Sequence, residues 1–422
     1  MKILFYNHTG QVGGAEGMLL MILARLDPAA FEPVVVCPDQ GPLREAVEEL
    51  GVRAETVAGL DARFTWRADH LLRYLQSSVQ IIRQIRKRVI SIKPDLIHAN
   101  SIRAGLVATA ATFGLGTRVV WHLHDLLPRH PLSTSIRIFA SLSSRTRMIA
   151  VSEAVARNFR GRLSRWMKNR VDVILNAIDL DKFQPDQTAS RTISRELRLR
   201  EGDLLLGIVG RLTPSKGQLE LLRAFAQVLN EIPEATLVIV GAPQFNQEHE
   251  YLQLLEQSVL EQGIAERVRI TGARSDIARI MQALDLLVIN SSVEAFCLVA
   301  LEAMACGTPI LAAASGGIPE LIEHGENGWL VPTRDEGTLA KAIVHLSRRP
   351  DLRARLGEQG KHHVSAAFSA ERYLNELQAF YSRQCGDLSE IDPVATGSDG
   401  RGPRRGRRGE GPSSSRSQEL IT

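Results

Sequence analysis

The chain has 422 residues, which is too long for a single hydrophobic core and fits two domains with additional segments. Its 51 basic and 47 acidic residues leave a net charge of +4, a balance that is not typical of nucleic-acid-binding proteins. No run of about 18 apolar residues is present, so a membrane-spanning helix is not expected, and the four cysteines lack the spacing of metal or disulfide sites, which indicates a reduced, cytoplasmic protein.

The N-terminal residues predict a strand, a glycine-rich loop and a helix. Residues 3–7 form an apolar stretch that fits a first strand and is too short for a signal peptide, and a helix is expected from Ala15 to Leu26. Gly13 and Gly14 lie where the strand turns into this helix. Glycine lets a ligand approach the backbone closely, and amides at a helix N-terminus favour phosphate or other anions.

This glycine-rich turn leaves one alternative open. Its pattern is G-x-x-G-G-x-x-G and differs from the G-x-G-x-x-G of nicotinamide-dinucleotide sites. However, the second strand, Pro33 to Cys37, ends near Asp39, about where a ribose-binding acid would lie. A nicotinamide-dependent dehydrogenase is therefore kept as an alternative interpretation.

The first half continues as alternating helices and strands. His124 and Asp125 follow a strand, Arg118 to Leu123. A histidine in a loop at the carboxyl end of a strand is better placed for chemistry than a core histidine, although it could also only anchor the loop. The other elements expected here are helices at 43–50, 71–92 and 103–113, strands at 96–100 and 148–151, and a helix that Ser152 would cap.

Two basic segments raise the hypothesis of peripheral contact with an anionic membrane. The expected helix 71–92 carries several arginines, and segment 157–170 combines arginines and lysines with apolar residues. A basic amphipathic helix can lie on an anionic bilayer, while the alternative is an ordinary solvated face. The apolar residues of the second segment are Phe159, Leu163, Trp166 and Met167.

The second half opens with a strand, Leu204 to Val209, and a corner that carries two cations. Arg211 and Lys216 flank this strand-to-helix corner, which also contains two glycines. Two cations beside free backbone amides can hold a pyrophosphate, whereas each alone would be read as surface charge. The order of residues does not match a Walker A loop.

A βαβ unit near residue 300 contains an unusual carboxylate. An apolar strand, Leu286 to Asn290, leads through a polar loop to Glu294, and a helix expected to open near Phe296 carries Glu302 among apolar neighbours. A carboxylate inside such a helix is costly unless it is paired or hydrogen-bonded. A ligand hydroxyl or a salt bridge to a distant Arg or Lys would both satisfy it.

The segment EAFCLVALEAMACGTPIL resembles the E-x7-E motif of retaining glycosyltransferases of family 4. The G-R-x-x-x-x-K-G corner and the His-Asp pair also match that family, and the resemblance covers roughly residues 1–383. It implies an α/β protein of the GT-B fold, in which two Rossmann-like domains face each other across a cleft. Ala177 in the connection between the domains and Cys297 in the motif stand where the family usually has glycine.

The resemblance also assigns expected roles to individual residues. Catalytic roles fall to His124 and Glu294. The donor diphosphate would be bound by Arg211, Lys216, Gly13, Gly14, Phe296, Cys297 and Leu298, and the ribose or base by Glu302, Ala273 and Arg274. No metal or other cofactor is expected beyond a nucleotide-diphosphate sugar as co-substrate, because two cations can replace a metal at a diphosphate.

Four segments are expected on this basis. Residues 1–180 would form an acceptor-side domain, 181–365 a nucleotide-sugar-binding domain, and 366–384 a helix that crosses back onto the first domain. Residues 385–422 are rich in Gly, Arg and Ser and predict a disordered tail.

The predicted activity is transfer of a sugar, with retention, to a glycan, lipid-linked or small-molecule acceptor in the cytoplasm. Synthesis of cell-surface polysaccharide or glycolipid is the leading context, because many members of the family serve it. The alternatives are a nucleotide-sugar epimerase on the same fold, the dehydrogenase, and a sugar-nucleotide binder without catalysis. The sequence does not identify the sugar, the base, the acceptor or the linkage.

Overall fold

The computed structural model describes residues 1–59, 68–183, 185–186, 188–243 and 246–386. Within them, two parallel sheets belong to one continuous unit, Met1–Gly386. Most strands are buried along their length, as expected for parallel strands covered by helices on both faces. We call the part around the first sheet the first lobe and the part around the second sheet the second lobe.

The first lobe is built on a seven-stranded sheet in the order β3-β2-β1-β4-β5-β6-β7. The order reverses between β1 and β4, and ligands of such sheets bind at the carboxyl ends of the strands at this point. The strands are β1 Lys2–Tyr6, β2 Glu32–Pro38, β3 Arg53–Val57, β4 Leu96–Ala99, β5 Arg118–Leu123, β6 Thr146–Ala150 and β7 Val171–Val173. The helices are α1 Gly14–Arg25, α2 Leu43–Glu49, α3 Ala68–Ile92, α4 Ile102–Ala111, α5 Pro131–Leu142, α6 Glu153–Arg160 and α7 Ser164–Met167.

The second lobe is built on a six-stranded sheet in the order β10-β9-β8-β11-β12-β13. Its order reverses between β8 and β11, which gives this lobe a switch point of its own. The strands are β8 Leu204–Val209, β9 Ala235–Val240, β10 Val268–Gly272, β11 Leu286–Ile289, β12 Ile310–Ala313 and β13 Trp329–Val331. The helices are α8 Ala189–Glu196, α9 Gln218–Val228, α10 Asn246–Glu261, α11 Ile277–Ala283, α12 Leu298–Cys306, α13 Glu336–Ser347, α14 Pro350–Ala367 and α15 Ala370–Cys385.

Helix α15 returns to the first lobe. Tyr373, Leu377 and Phe380 of α15 are buried in the same apolar cluster as Ile3 and Leu19 of the first lobe. Two chain segments connect the lobes and meet, since the amide of Ile178 donates to the carbonyl of Phe368 at 3.0 Å. The predicted GT-B fold and its crossing helix are confirmed.

Several predicted elements differ from those in the structure. The helices that were not predicted include α5, the short α7, and α8, which lies in a segment expected only to connect the lobes. The helix expected near Phe296 begins at Leu298. The predicted domain boundaries stay predictions, and residues 387–422 of the predicted disordered tail lie outside the described residues.

The hypothesis that the apolar residues of segment 157–170 contact a membrane is wrong for two of them. Phe159 and Met167 are almost completely buried in the core of the first lobe. They are therefore not available to a bilayer. No helix in the described parts of the chain is long and apolar enough to cross a membrane.

Candidate active site

The switch point of the first lobe carries two buried asparagines. Tyr6 and Ala99 are paired in β1 and β4, so Asn7 and Asn100 leave the sheet side by side. Nδ2 of Asn100 donates to Oδ1 of Asn7 at 3.1 Å, and Nδ2 of Asn7 donates to Oε1 of Glu16 at 3.1 Å. The first turn of α1 is thereby joined to the ends of both strands.

His124, which directly follows β5, lies next to this asparagine pair. Its Nε2 lies 3.1 Å from Oδ1 of Asn100, and its ring lies 3.9 Å from the ring of His122, measured between centroids. Burial lowers the pKa of His124 to about 3, so the imidazole is neutral near pH 7. A neutral histidine at the cleft can exchange hydrogen bonds with sugar hydroxyls.

The predicted glycine-rich turn lies against the E-x7-E segment of the second lobe. A Cβ atom placed on Gly14 would lie 3.2 Å from Cδ1 of Leu298, so the two loops meet here. The amide of Gly13 donates to Oε2 of Glu16 at 3.1 Å. A carboxylate of the chain thus binds the amide at the start of α1, and any diphosphate that reached this amide would have to displace it.

The second lobe brings Lys216 and Glu294 together. Nζ of Lys216 donates to Oε2 of Glu294 at 2.7 Å, and both side chains are largely buried. Asn290 supports this corner, since its Nδ2 donates to the carbonyl of Gly217 at 3.0 Å. Gly217 has φ +71°, and a Cβ atom there would lie 2.3 Å from the carbonyl oxygen of Asn290, so the position requires glycine.

Arg211 is held at the same switch point by a different carboxylate. Its Nε lies 3.3 Å from Oε1 of Glu248 on α10. Nε2 of Gln218, which is buried, donates to the carbonyl of Arg211 at 2.9 Å. The two predicted cations therefore flank one loop, and each has a carboxylate partner.

Gly316 and Gly317 shape the loop that carries Glu294. A Cβ atom on Gly316 would lie 1.7 Å from the carbonyl oxygen of Glu294, and one on Gly317 would lie 2.4 Å from that of Ala295. The amide of Gly317 also donates to the Glu294 carbonyl at 3.0 Å. The backbone of Glu294 is therefore fixed from both sides.

The N-terminus of α12 offers free backbone donors beside this pair. The amides of Phe296, Cys297 and Leu298 donate to no residue within the described part of the chain. Amides at a helix N-terminus bind anionic oxygens well. Cys297 has φ +87°, a left-handed conformation that favours the glycine usual in the family.

Glu302 is a carboxylate that has no partner in the part of the chain that the structure describes. It lies on α12 and is only partly accessible, and among the described residues it forms no hydrogen bond or ion pair. Desolvation raises its pKa to about 7. The salt bridge considered as an alternative is therefore absent from the described residues, and the lone pairs of Glu302 remain open to a ligand.

The predicted base-binding residues lie at the end of β10. The guanidinium of Arg274 forms ion pairs with Glu196 and, at 2.7 Å, with Asp276. Its side chain is therefore committed to α8 and to the loop before α11. Only backbone groups of Ala273 and Arg274 are then left for the ligand contact that the sequence predicted here.

The lobes touch beside the site through the start of α6. Oγ of Ser152 donates to the carbonyl of Ala295 at 2.6 Å. The carboxylate of Glu320 accepts from the amides of Glu153 and Ala154 at 2.7 and 2.6 Å. A side chain of the second lobe thus caps a helix of the first lobe.

Several residues of this arrangement were not predicted from the sequence. Asn7 and Asn100 directly follow buried strands, and that position was the available signal for them. Nothing in the sequence pairs Glu320 with α6. Across the described residues no group of three or more His, Cys, Asp or Glu side chains could hold a metal ion, and the expectation that no metal is needed stays a prediction.

Comparisons with known proteins agree with this geometry. A family model described as "Glycosyltransferase Family 4" matches residues 12–182, and one described as "Glycosyl transferases group 1" matches residues 189–363. The first falls on the lobe with His124 and the second on the lobe with Glu294 and Glu302.

Relatives of known structure and sequence fall in the same group. HepE of Anabaena, solved with UDP-glucose, is 28% identical with a TM-score of 0.78, and the match covers 91% of this chain and 100% of HepE. The D-inositol 3-phosphate glycosyltransferase of Mycobacterium marinum is 38% identical over 259 residues, 57% of this chain and 52% of that protein. This chain spans about half the length of the curated relatives it matches. Together with the fold and the E-x7-E segment, these matches establish that the chain belongs to glycosyltransferase family 4.

Proposed function

We propose that this chain transfers a sugar from a nucleotide-diphosphate sugar to a hydroxyl group of an acceptor. The observation that carries the proposal is Glu302, a desolvated carboxylate on the helix that begins beside Glu294 and Lys216. It has no partner among the residues that the structure describes. Ribose hydroxyls would donate the hydrogen bonds that Glu302 lacks. The likeness to HepE, which was solved with UDP-glucose, supports a UDP-sugar as the first donor to test.

The diphosphate would lie between the two cations and the start of α12. Lys216 and Arg211 would bind its oxygens and stabilise the negative charge that develops on the leaving group. Glu294, released from Lys216, would then accept hydrogen bonds from hydroxyls of the donor sugar. The proposed assignment is His124 and Glu294 at the sugar, Arg211, Lys216, Gly13, Gly14, Phe296, Cys297 and Leu298 at the diphosphate, and Glu302, Ala273 and Arg274 at the nucleoside.

In the reaction, the bond between the anomeric carbon and the diphosphate oxygen breaks. The acceptor oxygen bonds to that carbon, and the hydroxyl proton leaves with the nucleoside diphosphate or passes to water. Retention of configuration follows the family and is part of the proposal. The anomeric coupling constant of the product, measured by NMR, tests it.

The acceptor class is a glycan, a lipid-linked glycan or a small molecule. The likeness to D-inositol 3-phosphate glycosyltransferases makes an inositol phosphate the first small acceptor to test. A role in cell-surface polysaccharide or glycolipid synthesis, a cytoplasmic location and peripheral membrane contact stay predictions. Cosedimentation with anionic vesicles at low salt tests the membrane contact, and absence of binding would contradict it.

A thermal-shift panel of UDP-, GDP- and ADP-sugars, with NAD and NADP as controls, tests donor binding. A ligand that binds only the folded chain adds about 2.7 kcal/mol of stability at a hundredfold excess over its dissociation constant. We expect one nucleotide family to raise the melting temperature of the wild type but not of Lys216→Ala or Glu302→Ala. Lys341→Ala, an exposed lysine of α13, is the matched control and should respond as the wild type does.

The outcome also separates the alternatives. A shift with NAD alone would contradict the glycosyltransferase proposal and favour the dehydrogenase. An epimerase would change the donor sugar without an acceptor, whereas a transferase releases nucleoside diphosphate in proportion to the acceptor consumed.

A further inference from the structure

His124 belongs to a chain of buried hydrogen bonds that begins at α1. These hydrogen bonds connect Glu16 through Asn7 and Asn100 to Nε2 of His124. Both asparagines are fully buried and Glu16 is 8% exposed. Buried amides of this kind keep one orientation when all their partners are fixed.

The orientation of Asn7 is set by groups that only accept hydrogen bonds. Its Nδ2 lies 2.6 Å from the carbonyl oxygen of Thr9 and 3.1 Å from Oε1 of Glu16. A carbonyl cannot donate, so the amide nitrogen of Asn7 must face these two oxygens. Oδ1 of Asn7 is therefore turned towards Asn100.

The orientation of Asn100 follows in the same way. Its Nδ2 lies 3.1 Å from Oδ1 of Asn7 and 3.2 Å from the carbonyl oxygen of Ala15. Turning the amide over would place an oxygen against both acceptors. Oδ1 of Asn100 must therefore face His124, and an oxygen at that place can only accept.

We propose that Asn100, oriented by Asn7, Glu16 and the Ala15 carbonyl, fixes His124 as the tautomer with its proton on Nε2. Nδ1 of His124 is then an acceptor, and it has no partner among the described residues. A ligand atom that meets Nδ1 must donate a hydrogen. Asn7, Asn100 and Glu16 are positioning residues in this scheme, and they act through His124.

The inference rests on the proposed function in one respect, namely that a donor sugar meets His124. If Nδ1 of His124 can only accept, the site favours a ligand hydroxyl at this position over a group that can only accept, such as fluorine or a carbonyl. The neutral state of the ring agrees with this, since burial lowers the pKa of His124 to about 3.

Long-range proton–nitrogen NMR of the ligand-free chain, labelled with 15N-histidine, tests the tautomer directly. The signals of His124 are assigned by their loss in His124→Gln. We expect a single Nε2–H tautomer at neutral pH in the wild type and a mixture of both tautomers in Asn100→Leu, which has a similar shape but no acceptor. An Nδ1–H tautomer in the wild type, or an unchanged spectrum in Asn100→Leu, would overturn the proposal.

Two further variants keep the test decisive. Asn100→Asp retains an acceptor and adds a negative charge, so His124 should become doubly protonated at a pH where the wild-type ring is neutral. A neutral ring in this variant would contradict the role of Asn100 even if Asn100→Leu fails to fold. Ser101→Ala, which removes the neighbouring side-chain cap of α4, should keep the wild-type tautomer.

Kinetics separate this inference from the proposed function. We expect Asn100→Leu to lower kcat by about tenfold or more, as a wrong tautomer does at other histidine sites, while the nucleotide still raises the melting temperature. Failure of every nucleotide to bind would contradict the proposed function and leave the tautomer result intact. An equal loss of nucleotide binding and kcat would contradict the positioning role.

Discussion

The phenolic oxygen of Tyr381 lies 2.7 Å from Nδ1 of His98, although the two residues are 283 positions apart in the sequence. Both side chains are fully buried. Nε2 of His98 in turn lies 3.2 Å from Nδ1 of His122, whose ring packs against His124. Helix α15 thus forms a hydrogen bond within the first lobe directly behind the candidate site.

Removal of this hydroxyl should destabilise the fold. In Tyr381→Phe, His98 loses a buried partner, and we expect a loss of about 1–3 kcal/mol in the free energy of unfolding. Tyr373→Phe is the matched control, because the Tyr373 hydroxyl is also buried on α15 but has no hydrogen-bond partner within the described ranges. Urea denaturation of the three proteins measures the difference. Equal effects of the two substitutions would contradict a stabilising role for the Tyr381–His98 bond.

The protonation of Glu302 should make stability depend on pH. Its pKa is raised from 4.5 to about 7 in the folded chain. Between these pH values the carboxyl group is therefore protonated in the folded chain and ionised in the unfolded chain. Stability from this group is therefore present below about pH 4.5 and falls as pH rises to about 7, by at most roughly 3 kcal/mol. Glu302→Gln should show less of this decline and exceed the wild type in stability above pH 7.

Unfolding midpoints of the wild type and Glu302→Gln between pH 4.5 and 8 measure this effect. Glu358→Gln, at an exposed position of α14, is the control and should follow the wild-type curve. Parallel curves for the wild type and Glu302→Gln would show that Glu302 does not titrate in this range.

The sequence predicted those parts of the site that lie near one another along the chain. Lys216, Glu294 and Glu302 each belong to a strand–loop–helix unit whose apolar strand and glycines identify the corner. Asn7 and Asn100 lie at two such corners, but their contact depends on the pairing of β1 with β4, which a single sequence does not specify. For the same reason the sequence did not reveal the pairing of Tyr381 with His98.

The helices α5 and α8, which were not predicted, each bury only two residues. In α8 only Ala189 and Ile193 are buried, and the remaining residues are exposed or partly exposed, so the segment has the composition of a linker. In α5, Leu132, Ile138 and Leu142 are exposed while Ser133 is buried, which reverses the usual pattern. Tertiary packing determines both helices more than local sequence does.

Replacement of Cys297 by glycine should stabilise the chain relative to alanine. The residue has φ +87° and ψ 75°, where a side chain costs about 1 kcal/mol or more compared with glycine. Cys297→Gly and Cys297→Ala both remove the buried thiol, so their difference reports the backbone conformation. We expect a higher unfolding midpoint for the glycine variant, measured by thermal denaturation. A more stable alanine variant would contradict strain at this position.

Glu320 should control how tightly the lobes close. Its carboxylate accepts from the amides of Glu153 and Ala154 at the start of α6, where a negative charge is favourable. Glu320→Gln removes that charge and leaves one oxygen in place of two, so we expect the contact to weaken by about 0.5–2 kcal/mol. Hydrogen exchange at the amides of Glu153 and Ala154 should accelerate accordingly, and the radius of gyration in solution should increase as closed molecules become fewer.

The control for this prediction is Glu323→Gln. Glu323 is exposed, lies in the same segment and forms no side-chain contact with the first lobe among the described residues. The Glu323→Gln substitution should therefore leave hydrogen exchange and the radius of gyration at their wild-type values. Equal exchange rates in Glu320→Gln and Glu323→Gln would show that the carboxylate of Glu320 does not hold the lobes together. Faster exchange at Glu153 and Ala154 without a change in the radius of gyration would limit its role to capping α6.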